Sequence, residues 1–432
     1  MIKIFVIVLL FVSACSFNSS SSLWTKHKKI EYEKSLNIKE INSRKEILKN
    51  EINPNVKIRI NYKKNDNINL SSNSNNDGIT NYDGQLKKIS KYNYSKIRNF
   101  NQYEPEISLY NNNLIFFDNK GSILNFKENS RLFWKKNYYS KSERKKNPIL
   151  FFSNNQNTLI VADTLAKYYS LDLNTGNIIW SKNNNSPFNS QIKILGDKFF
   201  VVDDSNILNC FSIKDGEKLW SFKTEKTLIK SQKKISIIIQ DNKVIFINTL
   251  GDITALDSNS GRLLWQTPTQ SKSIYDDAMF LKISDLVLAD NSILFSNNMN
   301  EFFSLDVNTG VFNWKQLVNS SLRPAIINDF IFTISEEGFL IIIDFKSGSI
   351  IRSTDVLKNI KERKRKEIKL TGFVVGRKNI YLSTSTGRLL IVKIETGTTQ
   401  SILKLDNEKI SRPIVLNESL FIAKNNSIIK LN

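Results

Sequence analysis

The chain has 432 residues, and its 62 lysines and arginines against 41 aspartates and glutamates give a net charge of +21. Hydrophobic residues make up 40% of the sequence, enough to bury a large core, which excludes a chain that is disordered throughout. A single histidine and two cysteines argue against a histidine-based catalytic triad, a zinc finger and a disulfide framework. On charge alone, so basic a chain is a candidate nucleic-acid binder.

The N-terminus has the pattern of an exported lipoprotein. Residues 4–12 form an apolar run that is too short to span a bilayer, which takes about 20 residues, but suits a signal peptide. The run leads into Val12-Ser13-Ala14-Cys15, which resembles the lipobox of bacterial lipoproteins. We therefore predict a signal peptide over 1–14 and lipidation of Cys15. An uncleaved anchor or a core strand with an incidental cysteine is the alternative.

The segment after Cys15 is expected to be a tether. Its first residue is Ser16, not the aspartate that usually marks retention in the inner membrane, which favours the periplasmic face of the outer membrane. Residues 15–87 are rich in lysine, asparagine and serine, as in 71–78 (SSNSNNDG), and predict a loosely ordered approach to the folded domain. No later segment has 18 consecutive apolar residues, so we expect an exported domain without a membrane-spanning helix. Cys210 would then lack a disulfide partner, and its strand-like surroundings predict burial.

One pattern recurs along the rest of the chain: a strand ending in Leu-Asp or a similar pair, a turn with glycine, and a strand that carries tryptophan. The turn glycines lie 38 to 49 residues apart, which is the length of a four-stranded propeller blade. Strand-like runs rich in Ile, Phe and Val disfavour helical repeats of similar length. The glycines are Gly176, Gly216, Gly261, Gly310, Gly348 and Gly397, and Ser130 takes this place in an earlier, degenerate copy.

Each element of the repeat has a physical role. The glycine allows a positive φ in the turn, and the preceding aspartate bonds turn amides. The tryptophan offers a large apolar face, so we expect it to pack between neighbouring blades and not to bind a ligand. Five copies carry it, at Trp134, Trp180, Trp220, Trp265 and Trp314, whereas Arg352 and Gln400 replace it in the last two.

The number of repeats predicts an all-β propeller with eight blades over 88–432. Seven turn motifs are followed by an eighth unit after Pro413, in which only two strands remain before the chain stops. A propeller must close its ring, and the missing outer strand is expected from the N-terminal side. Residues 88–97 are the predicted closing strand, and 56–62 are the alternative.

The lipobox, the repeats and the count of eight units together resemble the outer-membrane protein assembly factor BamB family, whose repeats are shared with PQQ-dependent dehydrogenases. The resemblance covers 88–432 and the signal region. It implies a non-enzymatic lipoprotein without a cofactor, which acts as a monomer within the outer-membrane β-barrel assembly machinery. The implied partners are the POTRA domains of the barrel insertase, its accessory lipoproteins and, as a further role, unfolded barrel precursors.

In that family, rim loops make the contact with the insertase, and two loops of this chain match them. The first, 228–233, places Ile229, Ser231 and Gln232 at the contact positions, where the family favours leucines and an arginine. The second, near 275–285, falls where the family has an aspartate pair, and here the candidates are Asp277, Leu281, Ile283 and Asp285. Ordinary solvated loops are the alternative for both.

Two other functions fit the sequence less well. A quinoprotein dehydrogenase would need a Ca²⁺ held by hard oxygen ligands and often a vicinal cysteine pair, which the sequence lacks. Nucleic-acid binding would have to use the basic runs 141–146 and 361–369, but neither contains interleaved aromatic residues. An exported lipoprotein would meet anionic lipid headgroups rather than nucleic acid, and biased composition alone is a further explanation of the charge.

Overall fold

The computed structural model describes residues 48, 50–60, 75–76, 78–103, 106–225, 233–270 and 281–432. All of these residues belong to one compact unit, Leu48–Asn432. The predicted signal peptide and lipidation site at Cys15 therefore lie outside the described residues. Within the described residues, no helix has the length and apolar character needed to cross a membrane.

The described residues form eight four-stranded antiparallel sheets, which are the eight predicted propeller blades. Blades 1 to 4 consist of β2 (Ser108–Tyr110), β3 (Asn113–Phe117), β4 (Ile123–Phe126) and β5 (Leu132–Lys136); β6 (Leu150–Asn155), β7 (Thr158–Asp163), β8 (Lys167–Asp172) and β9 (Ile178–Asn183); β10 (Lys193–Leu195), β11 (Lys198–Val202), β12 (Ile207–Ser212) and β13 (Lys218–Lys223); and β14 (Ile237–Gln240), β15 (Lys243–Ile247), β16 (Ile253–Asp257) and β17 (Leu263–Thr267). Blades 5 to 7 consist of β18 (Val287–Ala289), β19 (Ser292–Asn297), β20 (Glu301–Asp306) and β21 (Phe312–Gln316); β22 (Ala325–Ile327), β23 (Phe330–Ile334), β24 (Phe339–Asp344) and β25 (Ile350–Asp355); and β26 (Leu370–Val375), β27 (Asn379–Thr384), β28 (Arg388–Lys393) and β29 (Thr399–Lys404).

Blade 8 closes the ring with a strand from the N-terminal side, as predicted. It consists of β1 (Lys88–Asn93), β30 (Ile414–Leu416), β31 (Ser419–Lys424) and β32 (Ser427–Leu431). β1 pairs antiparallel with β32, with Lys91 opposite Ile429. The alternative, 56–62, was wrong for this role: its described part lies along blades 6 and 7 instead.

The strand order gives the ring two distinct sides. The first strand of a blade contacts the first strand of the next, so these strands lie innermost and line a central channel. Because neighbouring strands are antiparallel, the connections from an outer strand to the next blade lie on one side, with the turns between second and third strands. We call this side the loop face. The first-to-second and third-to-fourth turns lie on the opposite side, the turn face.

The core lies in the second and third strands of each blade. In β24, Leu340, Ile341, Ile342 and Ile343 are all fully buried, because neighbouring blades cover both sides of the sheet. These strands are therefore continuous apolar runs rather than alternating ones. Cys210 in β12 is buried, as predicted, and burial raises the pKa of its thiol to about 12.

The two basic runs form short helices in connections on the loop face. α1 (Lys141–Lys145) joins blades 1 and 2, and a capping box between Ser140 and Glu143 begins it. α2 (Glu362–Arg365) joins blades 6 and 7. The lysines and arginines of these runs thus lie on two separate connections.

The tryptophans pack between blades in the predicted manner. Each Nε1 donates a hydrogen bond of 2.8 to 3.3 Å to a carbonyl in the next blade, directly after the aspartate position of the repeat. Each ring also covers the turn glycine of that blade, where φ is between +70° and +72°. Ser130 adopts the same left-handed conformation in the first blade, with a φ of +62°. At the closing junction, between blades 8 and 1, Tyr92 of β1 replaces the tryptophan, and its hydroxyl donates to Glu128 O at 2.9 Å.

Arg352 replaces the tryptophan between blades 6 and 7. It is fully buried, and burial lowers the pKa of its guanidinium to about 10. Nη2 donates to Ile394 O at 2.9 Å, which is the carbonyl that a tryptophan would reach in the other junctions. Nη1 donates to Glu395 O at 2.5 Å and to Val56 O at 3.0 Å. Arg352 therefore joins three segments of chain where tryptophan joins two.

Residues 50–60, which we call the N-terminal strap, run along the rim of these blades. Ile52 and Ser353 exchange backbone hydrogen bonds of 3.1 and 2.9 Å, so the strap adds a short antiparallel bridge to the outer edge of blade 6. Ile58 is buried against blades 6 and 7, and its N–H donates to Glu395 O. Composition predicts a loosely ordered approach here, whereas the strap is packed against the propeller.

Candidate functional site on the loop face

The predicted partner residues belong to two connections on the loop face, which join blades 3 and 4 and blades 4 and 5. These connections run from Lys223 to Ile237 and from Thr267 to Val287, and the next one, from Gln316 to Ala325, is shorter. Long connections on one side of a rigid ring are where propellers and other scaffolds commonly bind partners. Ile229, Ser231, Gln232 and Asp277 lie outside the described residues.

Leu281 and Ile283 lie where the second connection returns to the ring. Leu281 is buried, and an added Cβ on Gly251 would be 3.5 Å from its Cδ2. Ile283 is half-buried and forms an isolated antiparallel bridge with Asn297, the last residue of β19 in blade 5. Both side chains thus pack the connection against the blades.

Asp285 faces the channel, where it pairs with Arg323 of the following connection at 3.4 Å. Burial alone would raise the pKa of this carboxyl, but the charges of Arg323, Lys233 and Lys234 lower the pKa below its usual value. The carboxylate is therefore ionised and engaged within the protein. The sequence predicts a partner contact for Asp285, whereas in the structure its carboxylate forms a partly buried ion pair with Arg323.

The connections are tied to one another across the channel mouth. Lys233, between blades 3 and 4, donates from Nζ to Ser321 O, between blades 5 and 6, at 2.8 Å. Lys234 pairs with Glu106, which precedes blade 1, at 2.5 Å. With the Asp285–Arg323 pair, these contacts join three consecutive connections to each other and to the segment that begins blade 1.

A second layer of charge lies beneath these contacts. Lys193, the first residue of the innermost strand of blade 3, is almost fully buried. Burial, together with the charge of Arg323, lowers the pKa of this lysine to about 7. Glu106 and Asp285 act in the opposite direction but do not restore the usual value.

Sequence reasoning missed most of this ring of polar side chains. In seven of the eight blades, the residue four positions before the end of the innermost strand is polar. The innermost strands are short and lack the turn motif. The repeat therefore does not show where these strands end, and the shared polar position, which is counted from that end, cannot be found from the sequence. These residues are Glu106, Gln191, Ser236, Asp285, Arg323, Thr371 and Arg412.

The described residues do not fit the Ca²⁺ that the quinoprotein alternative requires. Among them, no cluster of three or more histidines, cysteines or carboxylates is placed to hold a metal ion. Glu106 and Asp285 are paired with Lys234 and Arg323, and these surrounding cations disfavour a divalent ion. Other buried aspartates, such as Asp203, accept hydrogen bonds from the amides of their own turns.

Comparisons with known proteins agree with this architecture. A sequence profile of the family described as outer membrane protein assembly factor BamB matches residues 119–354, more than half of the chain. No curated protein sequence matches. Among solved structures, BamB from Moraxella catarrhalis is similar at 16% identity and a TM-score of 0.66, over 80% of this chain and all of that one.

Two enzymes have the same fold. The quinohemoprotein alcohol dehydrogenase from Comamonas testosteroni is similar at 10% identity and a TM-score of 0.63, over 82% of this chain and 78% of that one. A europium-containing methanol dehydrogenase is similar at 11% identity and a TM-score of 0.62, over 81% of this chain and 88% of that one. At such identities these similarities show the propeller fold alone.

Proposed function

We propose that the chain is a non-enzymatic scaffold subunit of the machinery that inserts β-barrel proteins into the outer membrane. The proposal rests on family membership, because the chain belongs to the outer membrane protein assembly factor BamB family. In this proposal a lipid on Cys15 anchors the propeller to the periplasmic face of that membrane. The loop face binds the POTRA domains of the barrel insertase, beside its accessory lipoproteins. The chain acts as a monomer within that complex.

The observation that carries the assignment to the loop face is the set of contacts across the channel mouth. Lys233, Asp285 and Arg323 join three consecutive connections, so the surface is fixed before a partner arrives. A preformed surface binds with a smaller loss of conformational entropy than separate mobile loops do. In this arrangement Ile229, Ser231, Gln232 and Asp277 supply the direct contacts, while Leu281, Ile283 and Asp285 support them.

An affinity pull-down from detergent-solubilised envelopes tests the proposal. The full-length protein is expected to recover the barrel insertase, and Ile229→Asp to recover much less. Leu264→Asp is a matched control, because Leu264 is an exposed apolar residue on the outer strand of blade 4, away from the loop face. Failure of the wild-type protein to recover the insertase would overturn the proposal, whereas equal losses with both variants would overturn the assignment to the loop face.

The alternative is a periplasmic quinoprotein enzyme, since two dehydrogenases have the same fold. The ion pairs of Glu106 and Asp285 argue for the scaffold, because they leave a cationic surrounding where Ca²⁺ would have to bind. We expect no turnover when the purified protein is mixed with PQQ, Ca²⁺, an alcohol and an artificial electron acceptor. Turnover faster than that of the cofactor alone would overturn the scaffold proposal in favour of the enzyme.

A second role, holding extended barrel precursors, is favoured by the N-terminal strap. The bridge between Ile52 and Ser353 is an instance in which an extended segment adds to the outer edge of a blade. The outer edges of other blades carry exposed apolar residues, such as Phe133, Ile179 and Leu219. An unfolded strand would bind such an edge through backbone hydrogen bonds. Photo-crosslinking from Ile179 to a denatured barrel protein should succeed, and the same probe at Ile351, beside the strap, should crosslink poorly.

A further inference from the structure

The innermost strands have a free edge that faces the channel. In blades 4, 5 and 6, the penultimate residue of this strand directs its backbone N–H and C=O groups away from the second strand and towards the channel axis. These residues are Ile239, Leu288 and Ile326. Backbone N–H and C=O groups in such a place need partners. Here the partners come from the asparagine-rich part of the N-terminal approach, in residues 75, 76 and 78–82, which we call the channel insert.

Two consecutive asparagine side chains imitate a neighbouring strand. Asn75 donates from Nδ2 to Ile239 O at 2.6 Å and accepts from Ile239 N–H at 3.4 Å. Asn76 does the same at Ile326, with distances of 3.2 and 3.4 Å. A carboxamide has one acceptor and a two-hydrogen donor, so it can pair with both groups of one residue as a peptide unit does.

The backbone of the insert fills the positions between and beyond these pairs. Leu288 N–H, in the blade between them, donates to Asn75 O at 3.1 Å. Further along, Thr80 N–H donates to Val375 O at 2.8 Å in blade 7, and Arg377 N–H donates to Tyr82 O at 3.0 Å. The insert therefore contacts four consecutive blades, near the end of each innermost strand and hence at the turn face.

The insert is anchored at its C-terminal end. Tyr82 is fully buried, with its ring 4.9 Å from that of Tyr381 in an edge-to-face arrangement. Thr80 is also buried, and its hydroxyl donates to Val375 O at 2.9 Å. A buried anchor followed by edge pairing is the arrangement with which domains bind extended peptides.

From these contacts we propose that the inner edges of blades 4 to 7 form a peptide-binding site at the turn-face mouth of the channel. Its ligand is an extended peptide with two adjacent asparagines, and the chain supplies this ligand itself. Occupation of the site closes the turn-face mouth along these blades.

Hydrogen exchange of the full-length protein tests this site. In Asn76→Ala, the Ile326 amide loses its acceptor directly, whereas the Leu288 amide, bound to the backbone of Asn75, exchanges faster only if the insert leaves as a unit. We expect exchange at Leu288 to be about tenfold faster, since local opening sets exchange and each hydrogen bond contributes about 1 kcal/mol. Faster exchange at Ile326 alone would show an isolated side-chain contact and would overturn the proposal.

Two controls make the result specific. Asn81→Ala alters the same segment at a contact with Glu418 on its exposed side, and exchange at Leu288 should not change. Unchanged protection of Ile245, a buried residue of β15, confirms an intact propeller. A synthetic peptide of residues 71–83, added to Asn76→Ala, should restore slow exchange at Leu288, and the same peptide with alanine in place of Asn75 and Asn76 should not. Failure of the wild-type peptide would also overturn the proposal.

Discussion

Two neighbouring junctions of the ring hold their blades together with different side chains. Between blades 5 and 6, Trp314 stacks on Phe302 and donates one hydrogen bond to Phe345 O. Between blades 6 and 7, Arg352 donates three hydrogen bonds from the equivalent position, one of them to Val56 of the N-terminal strap. Both side chains reach the carbonyl that follows the third strand of the next blade.

The difference between the junctions shows what the repeat requires. A donor to that carbonyl is common to both, and at the closing junction Tyr92 also supplies one. The apolar ring is not required, provided that another segment fills its place. Arginine has five N–H donors, so it can bind the strap as well as the blade. The exchange of tryptophan for arginine thus creates a binding site for the N-terminal approach.

The largest expected effect is the loss of Trp314. Trp314→Ala removes a ring that packs between two blades, and we expect the free energy of unfolding to fall by about 3–4 kcal/mol. Trp314→Phe keeps an aromatic ring and loses the Nε1 donor, so the fall should be about 1 kcal/mol. Urea denaturation followed by circular dichroism measures both. Equal losses in the two variants would mean that the hydrogen bond, not the ring, holds this junction.

Loss of Arg352 should be nearly as costly. Arg352→Ala leaves the carbonyls of Val56, Ile394 and Glu395 without their donor, and we expect a fall of about 2–3 kcal/mol in the free energy of unfolding. Arg352→Trp should recover the contact with blade 7 but not the one with Val56. Limited proteolysis would then cleave the strap faster in Arg352→Trp while the blades stay resistant. An equally protected strap would contradict the role given to the guanidinium.

Substitution of the turn glycines should distinguish the junctions further. At Gly348, a new Cβ would lie 2.5 to 2.9 Å from atoms of the rigid Trp314 ring, whereas at Gly397 it would face the Thr354 side chain and the Nη2 of Arg352, at 2.7 to 3.1 Å. The left-handed φ makes either alanine unfavourable by about 1 kcal/mol. Gly348→Ala should cost more because an indole cannot move aside, and urea midpoints should show this order. The reverse order would mean that the arginine junction is the more tightly packed.

The last expected effect concerns the pH dependence of stability, and it should come from the loop face rather than from either junction. Tryptophan does not titrate, and Arg352 stays charged at neutral pH because its pKa is about 10. The pKa of Lys193 is about 7 when folded, below the usual 10.5, so between these values the unfolded chain binds a proton that the folded chain does not. Stability should therefore rise as pH increases from 7 to 10.

Lys193→Met isolates this contribution. The variant should show a smaller rise in melting temperature between pH 7 and 10 than the wild-type protein, measured by differential scanning fluorimetry. Lys198→Met is a matched control, because Lys198 in the same blade is partly exposed and pairs with Asn259 on the turn face. Identical slopes for wild type and Lys193→Met would assign the pH dependence to another group.

The outer half of each blade was predictable because its turn requires particular residues at a fixed spacing. The left-handed glycine and the tryptophan that covers it recur at a regular interval, and counting them predicts the eight blades and the closing strand at 88–97. The inner half carries no such motif. Asn75, Asn76 and Arg352 have structural roles that depend on residues hundreds of positions away, such as Ile326 and Val56, and local composition contains no signal for those contacts.

The candidate site was predictable only in outline. The repeat predicts the connections between blades 3 and 5, but the pairing of Asp285 with Arg323 has no signal in the sequence. The residues that tie the connections together, Lys234 and Glu106, belong to blades that are far apart in sequence. Four of the proposed contact residues, Ile229, Ser231, Gln232 and Asp277, lie outside the described residues and stay predictions.

The closing strand has a consequence for how the protein comes to be folded. β1 pairs with β32, so one of the first strands to be synthesised completes its sheet with the last. Contacts so distant along the chain form slowly, because a long loop must close before they contribute. A nascent chain therefore has an open ring, with apolar blade surfaces uncovered, until β30, β31 and β32 have been made and β32 can pair with β1. A protein proposed to assist the assembly of other closed β-structures thus faces the same problem of late closure itself.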